Sequence, residues 1–165
     1  YAYPAGFPLD ILNVMQERKN ICNYLDMPLQ HISDTMLKMM RRGLTQAKTE
    51  ELIQTIRDKV PSIALRTTLL VGHPGETEEL WREAMQNLHR FPLTHVHAFT
   101  YSKRDGTPSA TMKPQIKGDI AKVRYNELTK IIEQKNYDFR KANNKTLEIT
   151  IKIKDILFSK CDNHI

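Results

Sequence analysis

The sequence predicts an α/β protein: an open or partial barrel of parallel strands with crossover helices, followed by a long helix and the start of a small β domain. Three observations carry that reading. Apolar residues alternate with period two in "IALRTTLLVG", the mark of a strand, and recur every three to four residues in the segments around it, the mark of helices. Helix and strand segments then alternate along the chain, as they do where parallel strands are joined by right-handed crossovers. Clear parallel strands fall only near residues 23–30, 64–71 and 95–101. These are too few for a complete barrel, which takes about 250 residues.

The elements follow in order. "FPLDILNVMQERKN" reads as a helix with Pro8 in its first turn and Leu12, Met15 and Ile11 on its apolar side. "ICNYLDMPLQ" reads as a strand, with Pro28 near the end of its ladder. "SDTMLKMMRR" is a short helix capped by Ser33 or Asp34, with Met36, Leu37 and Met40 inward and Gly43 as its stop. "TEELIQTIRDKV" is the next helix, with Thr49 as cap, Leu52, Ile53 and Ile56 inward, and Pro61 beyond its end.

In "IALRTTLLVG", Leu65, Thr67, Leu69 and Val71 share one side. Ala64, Arg66, Thr68 and Leu70 share the other, and its arginine and threonine point to a lined cavity. "ETEELWREAMQNLHRF" is a helix with Leu80, Trp81, Ala84, Met85 and Leu88 on its stripe. "THVHAFTYS" is a strand. A long basic amphipathic helix, with Asp119 as a cap, runs to about residue 142. "KTLEITIKI" then alternates as a strand, which places a domain boundary between residues 1–142 and 143–165.

Composition bounds the function. The chain has 165 residues, 40% of them apolar and 27% charged, which is ordinary for a folded domain and excludes a disordered or fibrous protein. No apolar run is long enough to span a membrane. The chain opens on "YAYPAGFPLD" with no initiator methionine, which points to a cut or processed start. Two distant cysteines, Cys22 and Cys161, form neither a disulfide framework nor a ligand set, and fit a reducing, cytoplasmic setting. The net charge of +6 favours an acidic partner such as nucleic acid or a ribosomal particle. Most of that excess lies between Lys113 and Lys145, which makes the helix over residues 118–142 a candidate RNA contact.

Ligands gather at the C-terminal ends of parallel strands. Three polar clusters fall there: "PLQHISD", "VGHPGET" and "TYSKRDGT". Gln30 could read a ligand through its amide, or simply be a loop residue. His31 could be a base, a ligand or a loop residue. Arg66, if buried, needs an anion, either a ligand carboxylate or a protein one such as Asp26. Thr68 faces the same way. "GHPGET" is no phosphate loop; Gly72 and Gly75 would let backbone approach a ligand or make a tight turn, and Glu76 and Thr77 could only cap the next helix. The six histidines show no metal-binding spacing, although His95 and His97 share a strand face. No catalytic residue is identifiable from the residues themselves.

"YLDMPLQHISDTMLKMMRRG", "IALRTTLLVGHPGETEE" and "AFTYSKRDGTPSA" resemble the radical S-adenosylmethionine (SAM) methylthiotransferases. "PLQH" followed by "ISD", and "LRTTLLVGHPGE", resemble the branch that modifies a ribosomal protein more than the branch that modifies tRNA. The resemblance covers about residues 1–150 and implies the C-terminal portion of a partial TIM-like radical SAM barrel, with "YAYP" ending its third strand and residues 143–165 starting a TRAM-like β domain. It implies SAM as cofactor and two [4Fe–4S] clusters in the full-length parent. None is expected on this chain, because the cluster cysteines and the segment holding the SAM amino group would lie upstream of Tyr1.

By the same resemblance Gln30 lies near SAM, Arg66 meets its carboxylate beside Thr68, and Val71, Gly72, His73 and Pro74 lie near the adenine. Tyr101 and Ser102 match the end of the sixth strand. The implied activity is methylthiolation of the β-carbon of an aspartate in a small-subunit ribosomal protein, with this fragment inactive alone. The alternatives are the same chemistry on tRNA adenosine and a non-catalytic nucleic-acid-binding fragment. An uncovered sheet edge is expected to favour self-association.

Overall fold

The computed structural model describes residues 1–142, so the predicted strand "KTLEITIKI", the β domain at 143–165 and Cys161 lie outside the described residues. The order is α1 (Ile11–Glu17), β1 (Tyr24–Asp26), α2 (Asp34–Met39), α3 (Gln46–Lys59), β2 (Ala64–Val71), α4 (Glu78–Arg90), β3 (His95–Thr100), α5 (Pro108–Thr111) and α6 (Gly118–Ala142). The three strands form one sheet in the order β1-β2-β3, with both pairs parallel. Parallel neighbours require crossovers: α2 and α3 carry the chain from β1 to β2, and α4 carries it from β2 to β3. The α/β expectation holds, with the short α5 as an addition.

Alternation along β2 divides the molecule. Leu65, Thr67, Leu69 and Val71 are buried, while Ala64, Arg66, Thr68 and Leu70 are half-buried. Val96 and Ala98 of β3 continue the buried side and meet Ile53 and Ile56 of α3, Trp81, Ala84 and Leu88 of α4, and Leu128 and Ile132 of α6 in one core. The opposite side carries Asp26, Arg66, Thr68, His97 and Phe99 and has no helix layer over it among the described residues. Ala2 N–H donates to Asp26 C=O at 2.8 Å, so the first residues run along the outer edge of β1.

Several expectations need correction. The first strand is shorter than residues 23–30: the ladder stops at Asp26 and resumes only as a bridge between Gln30 and Leu69. The cause is the pair of Pro28, which has no N–H to donate, and Thr67, whose buried hydroxyl donates to Met27 C=O (2.8 Å) and accepts from Leu29 N–H (3.1 Å). These side-chain bonds replace the backbone ladder. Helix α3 is capped by Thr45, whose hydroxyl accepts from Lys48 N–H, and not by Thr49, which is buried one turn in and bonds back to Thr45 C=O. Ser33 and Asp34 make no side-chain cap on α2: Ser33 donates to Glu83, and Asp34 accepts from Gln46 N–H. Ile11 is exposed, Pro8 lies before α1, and Leu80 is only half-buried.

Candidate functional site at the strand ends

The three polar clusters leave the C-terminal ends of the three strands, and hydrogen bonds join them. Glu76 is the hub. It does not cap α4; Thr77 does, accepting from Leu80 N–H. The Glu76 side chain is fully buried, and its carboxylate takes three donors. Oε2 accepts Gly72 N–H at 3.0 Å and Arg124 Nη1 at 2.7 Å. Oε1 accepts His31 Nε2 at 3.3 Å. The His31 tautomer follows from its other nitrogen: Nδ1 accepts Ser33 N–H at 3.0 Å, so the proton sits on Nε2. Arg124 comes from α6, donates again to Glu76 C=O (2.8 Å) and to Glu78 (3.1 Å), and lies over Trp81 with its guanidinium 5.7 Å from the ring centre. A buried carboxylate without such partners would be costly.

His73 joins the second cluster to the third. Its Nδ1–H donates to Pro74 C=O (2.9 Å), which leaves Nε2 to accept from the Ser109 hydroxyl (2.9 Å), and its ring meets Tyr101 edge-on at 5.4 Å. Burial pushes His73 below the ordinary histidine pKa, so the neutral ring is favoured. Gly75 N–H donates to Pro114 C=O at 3.1 Å, which ties the second loop to the link between α5 and α6.

Arg66 on the open side is paired with Asp26, its rival partner in the sequence, and its second Nη lies 2.7 Å from His97 Nδ1. Partial desolvation pulls this guanidinium down, but Asp26 outweighs it and holds the pKa above its ordinary value. The other Asp26 oxygen is buried with no partner. Away from these groups, a cavity of about 320 Å³ opens between the strand ends and α6, lined by Gly72, Thr100 and Tyr101 and by Ala121, Lys122 and Tyr125 of α6. The Tyr101 hydroxyl is buried without a hydrogen-bond partner. A cavity of this size at strand ends suits a nucleoside-sized ligand.

The predicted site residues are therefore unequal. Gly72, His73, Pro74 and Tyr101 meet at the second and third strand ends, and Gln30, Arg66 and Thr68 lie on the open side or its rim. Gln30 adopts φ 74°, a left-handed conformation that non-glycine residues rarely hold. The Val71 side chain points into the core, so only its backbone serves the site, its carbonyl accepting Tyr101 N–H at 2.7 Å. Ser102 is exposed. The hub itself went unread. Its signal was Arg124, which stands in line with Ala121, Leu128 and Ile132 on the buried stripe of α6, where a charge implies a buried partner. Among the described residues no three of His, Cys, Asp and Glu cluster as metal ligands, and Cys22 is exposed.

A sheet with ligand loops at its strand ends defines a class before it defines a member. The sequence pattern of the Radical SAM superfamily matches residues 3–88, more than half the chain, and the chain belongs to that superfamily. More particularly, it is similar to the ribosomal protein uS12 methylthiotransferase RimO of Cytophaga hutchinsonii, with 57% identity over 116 residues that make up 70% of this chain and 26% of that protein. The RimO proteins of Flavobacterium johnsoniae (43% over 138 residues, 84% of this chain and 32% of the relative) and Porphyromonas gingivalis strain ATCC 33277 (59% over 107 residues, 65% and 25%) are similar too. The chain spans about a quarter to a third of the length of these curated relatives.

Proposed function

We propose that this chain forms the far wall of the SAM site in a radical SAM methylthiotransferase acting on the small-subunit ribosomal protein uS12. The observation that carries the reading is the identity with RimO proteins over most of the chain, in a sequence whose three strand-end clusters meet in one bonded site. SAM, when bound at these loops, would supply the radical chemistry that functionalises an unactivated aspartate carbon. In this chain Arg66, held in place by Asp26, presents its charge toward the SAM carboxylate, Gln30 lies at the rim, and Gly72 with Tyr101 frames the nucleoside. Residues 1–142 are the barrel segment, in a reducing cytoplasmic setting. Among the described residues no helix is long and apolar enough to cross a membrane.

The exposed charges of α6 do not favour an RNA-binding reading. Lys122, Lys130, Arg140 and Lys141 are matched by Asp119, Glu127, Glu133 and Asp138, all exposed. Arg124 and Lys135 are engaged internally, Lys135 donating to Phe91 C=O at 2.8 Å.

The test is product analysis with the longer natural protein that carries this chain, its clusters reconstituted without oxygen. uS12 should gain the mass of one methylthio group in place of hydrogen, on an aspartate. The same gain on tRNA with none on uS12 would replace this reading by its tRNA counterpart.

A further inference from the structure

The clamp on Glu76 is absorbed by none of the contacts assigned to the ligand. Arg124 is 5% exposed and Glu76 is fully buried, and they come from elements 48 residues apart. One carboxylate holds the Gly72 amide of the second loop and the His31 ring of the first, while His31 in turn receives the Ser33 amide. The arginine fork sets that carboxylate from α6, also gripping the Glu76 carbonyl and Glu78. Gly72 lines the cavity, and Gln30 immediately precedes His31. A shift of the fork must therefore reach both ligand-facing loops at once.

We infer that Arg124, acting through Glu76, is a positioning residue that fixes the loops at residues 30–33 and 72–77 in their ligand-facing arrangement. The clamp ties the setting of α6 to the shape of the site. Neither side chain needs to touch the ligand, and Arg124 lies on a helix that the sequence alone marks only as basic. The ligand part of the inference rests on the SAM reading; the coupling of the loops does not.

Two variants test it in the longer natural protein. Arg124→Lys keeps the charge but loses the fork, and Arg124→Met loses both; should the second not fold, the first decides. Amide hydrogen exchange reads the loops directly. The amides of Gly72 and Ser33 should exchange faster by roughly tenfold or more, while that of Leu69 in β2 stays protected. The lysine variant should fall between wild type and methionine. Calorimetric SAM binding to each folded variant should weaken by about tenfold, the scale seen when residues that orient ligand-contacting groups are lost.

Wild-type exchange at Gly72 and Ser33 in a folded variant would overturn the inference. Equal acceleration across β2 and the loops would also overturn it, since that marks a purely structural pair. Loosened loops with unchanged SAM affinity would overturn the positioning role. If the wild-type protein bound no SAM, the proposed function would fail, while the exchange data would still decide the coupling.

Discussion

Gln30 and His73 show how single residues at this site depart from what stability alone would choose. Gln30 sits at φ 74°, where a residue with a Cβ is strained by about 1–2 kcal/mol. Its backbone is held from both sides, its N–H by Thr68 C=O and its carbonyl by Leu70 N–H, each at 2.8 Å. Strain that the surroundings enforce is a pointer to use of the side chain. Gln30→Gly should therefore leave the melting temperature unchanged or raise stability by up to about 1 kcal/mol, while SAM binding weakens. A lowered melt with unchanged binding would assign the side chain to structure. His73 is buried with both ring nitrogens engaged and its pKa depressed chiefly by burial. Its sign follows from linkage: below about pH 6.5 the unfolded chain takes up a proton that the folded chain refuses, so stability falls as pH drops from there toward the folded pKa. Thermal melts between about pH 7 and pH 5 should show this decline, and His73→Asn should flatten it. A slope unchanged in the variant would place the titrating group elsewhere.

At the scale of elements, the end of β2 and the first turn of α6 approach as closely as the chain permits. A Cβ at Gly72 would lie 2.8 Å from the Ala121 Cβ, and φ there is +78°. Gly72→Ala combines left-handed strain with overpacking, and should cost about 2–4 kcal/mol in denaturant unfolding. A smaller loss would mean that α6 slides away from the sheet without penalty. The legibility of the elements follows the same physics. β2 was fully readable because a strand with one side against helices imposes strict alternation, from Ala64 to Val71. β1 was misread in length because its last residues bond to the Thr67 side chain, a tertiary contact with no local trace. The α3 cap was misplaced by one turn because Thr45 and Thr49 are alike in composition, and only hydroxyl geometry separates them. The placement of the three polar loops at strand ends was legible from topology. The Glu76 hub was not, because its partners His31 and Arg124 lie 45 and 48 residues away.

Among the described residues the sheet is covered on its helix side and open on the other. Its apolar side is sealed by α3, α4 and α6, whereas the Arg66 side presents Tyr24 and Phe99 at 49% and 47% exposure. Tyr1, Tyr3, Leu9, Ile11, Val14 and Ile21, all before or just ahead of β1, are exposed as well. β1 is an edge strand by its place in the sheet, and Ala2 meets it through the single bond to Asp26 C=O. An edge strand flanked by exposed apolar side chains is a template for pairing with another chain. Repulsion is weak protection, since a net charge of +6 is modest for 165 residues and is screened beyond about 8 Å at physiological salt. The 165-residue chain prepared by itself should therefore self-associate, with a scattering mass that rises with concentration. Tyr24→Lys puts a charge on the edge strand, where Tyr24 is half exposed and outside the core, and should shift the chain toward monomer. The argument depends on the edge and not on general stickiness, so the same charge placed at exposed Val123 on α6 should leave the scattering mass unchanged. A monodisperse monomer at high concentration, or an equal response at Val123, would show that the β1 edge is not the surface that associates.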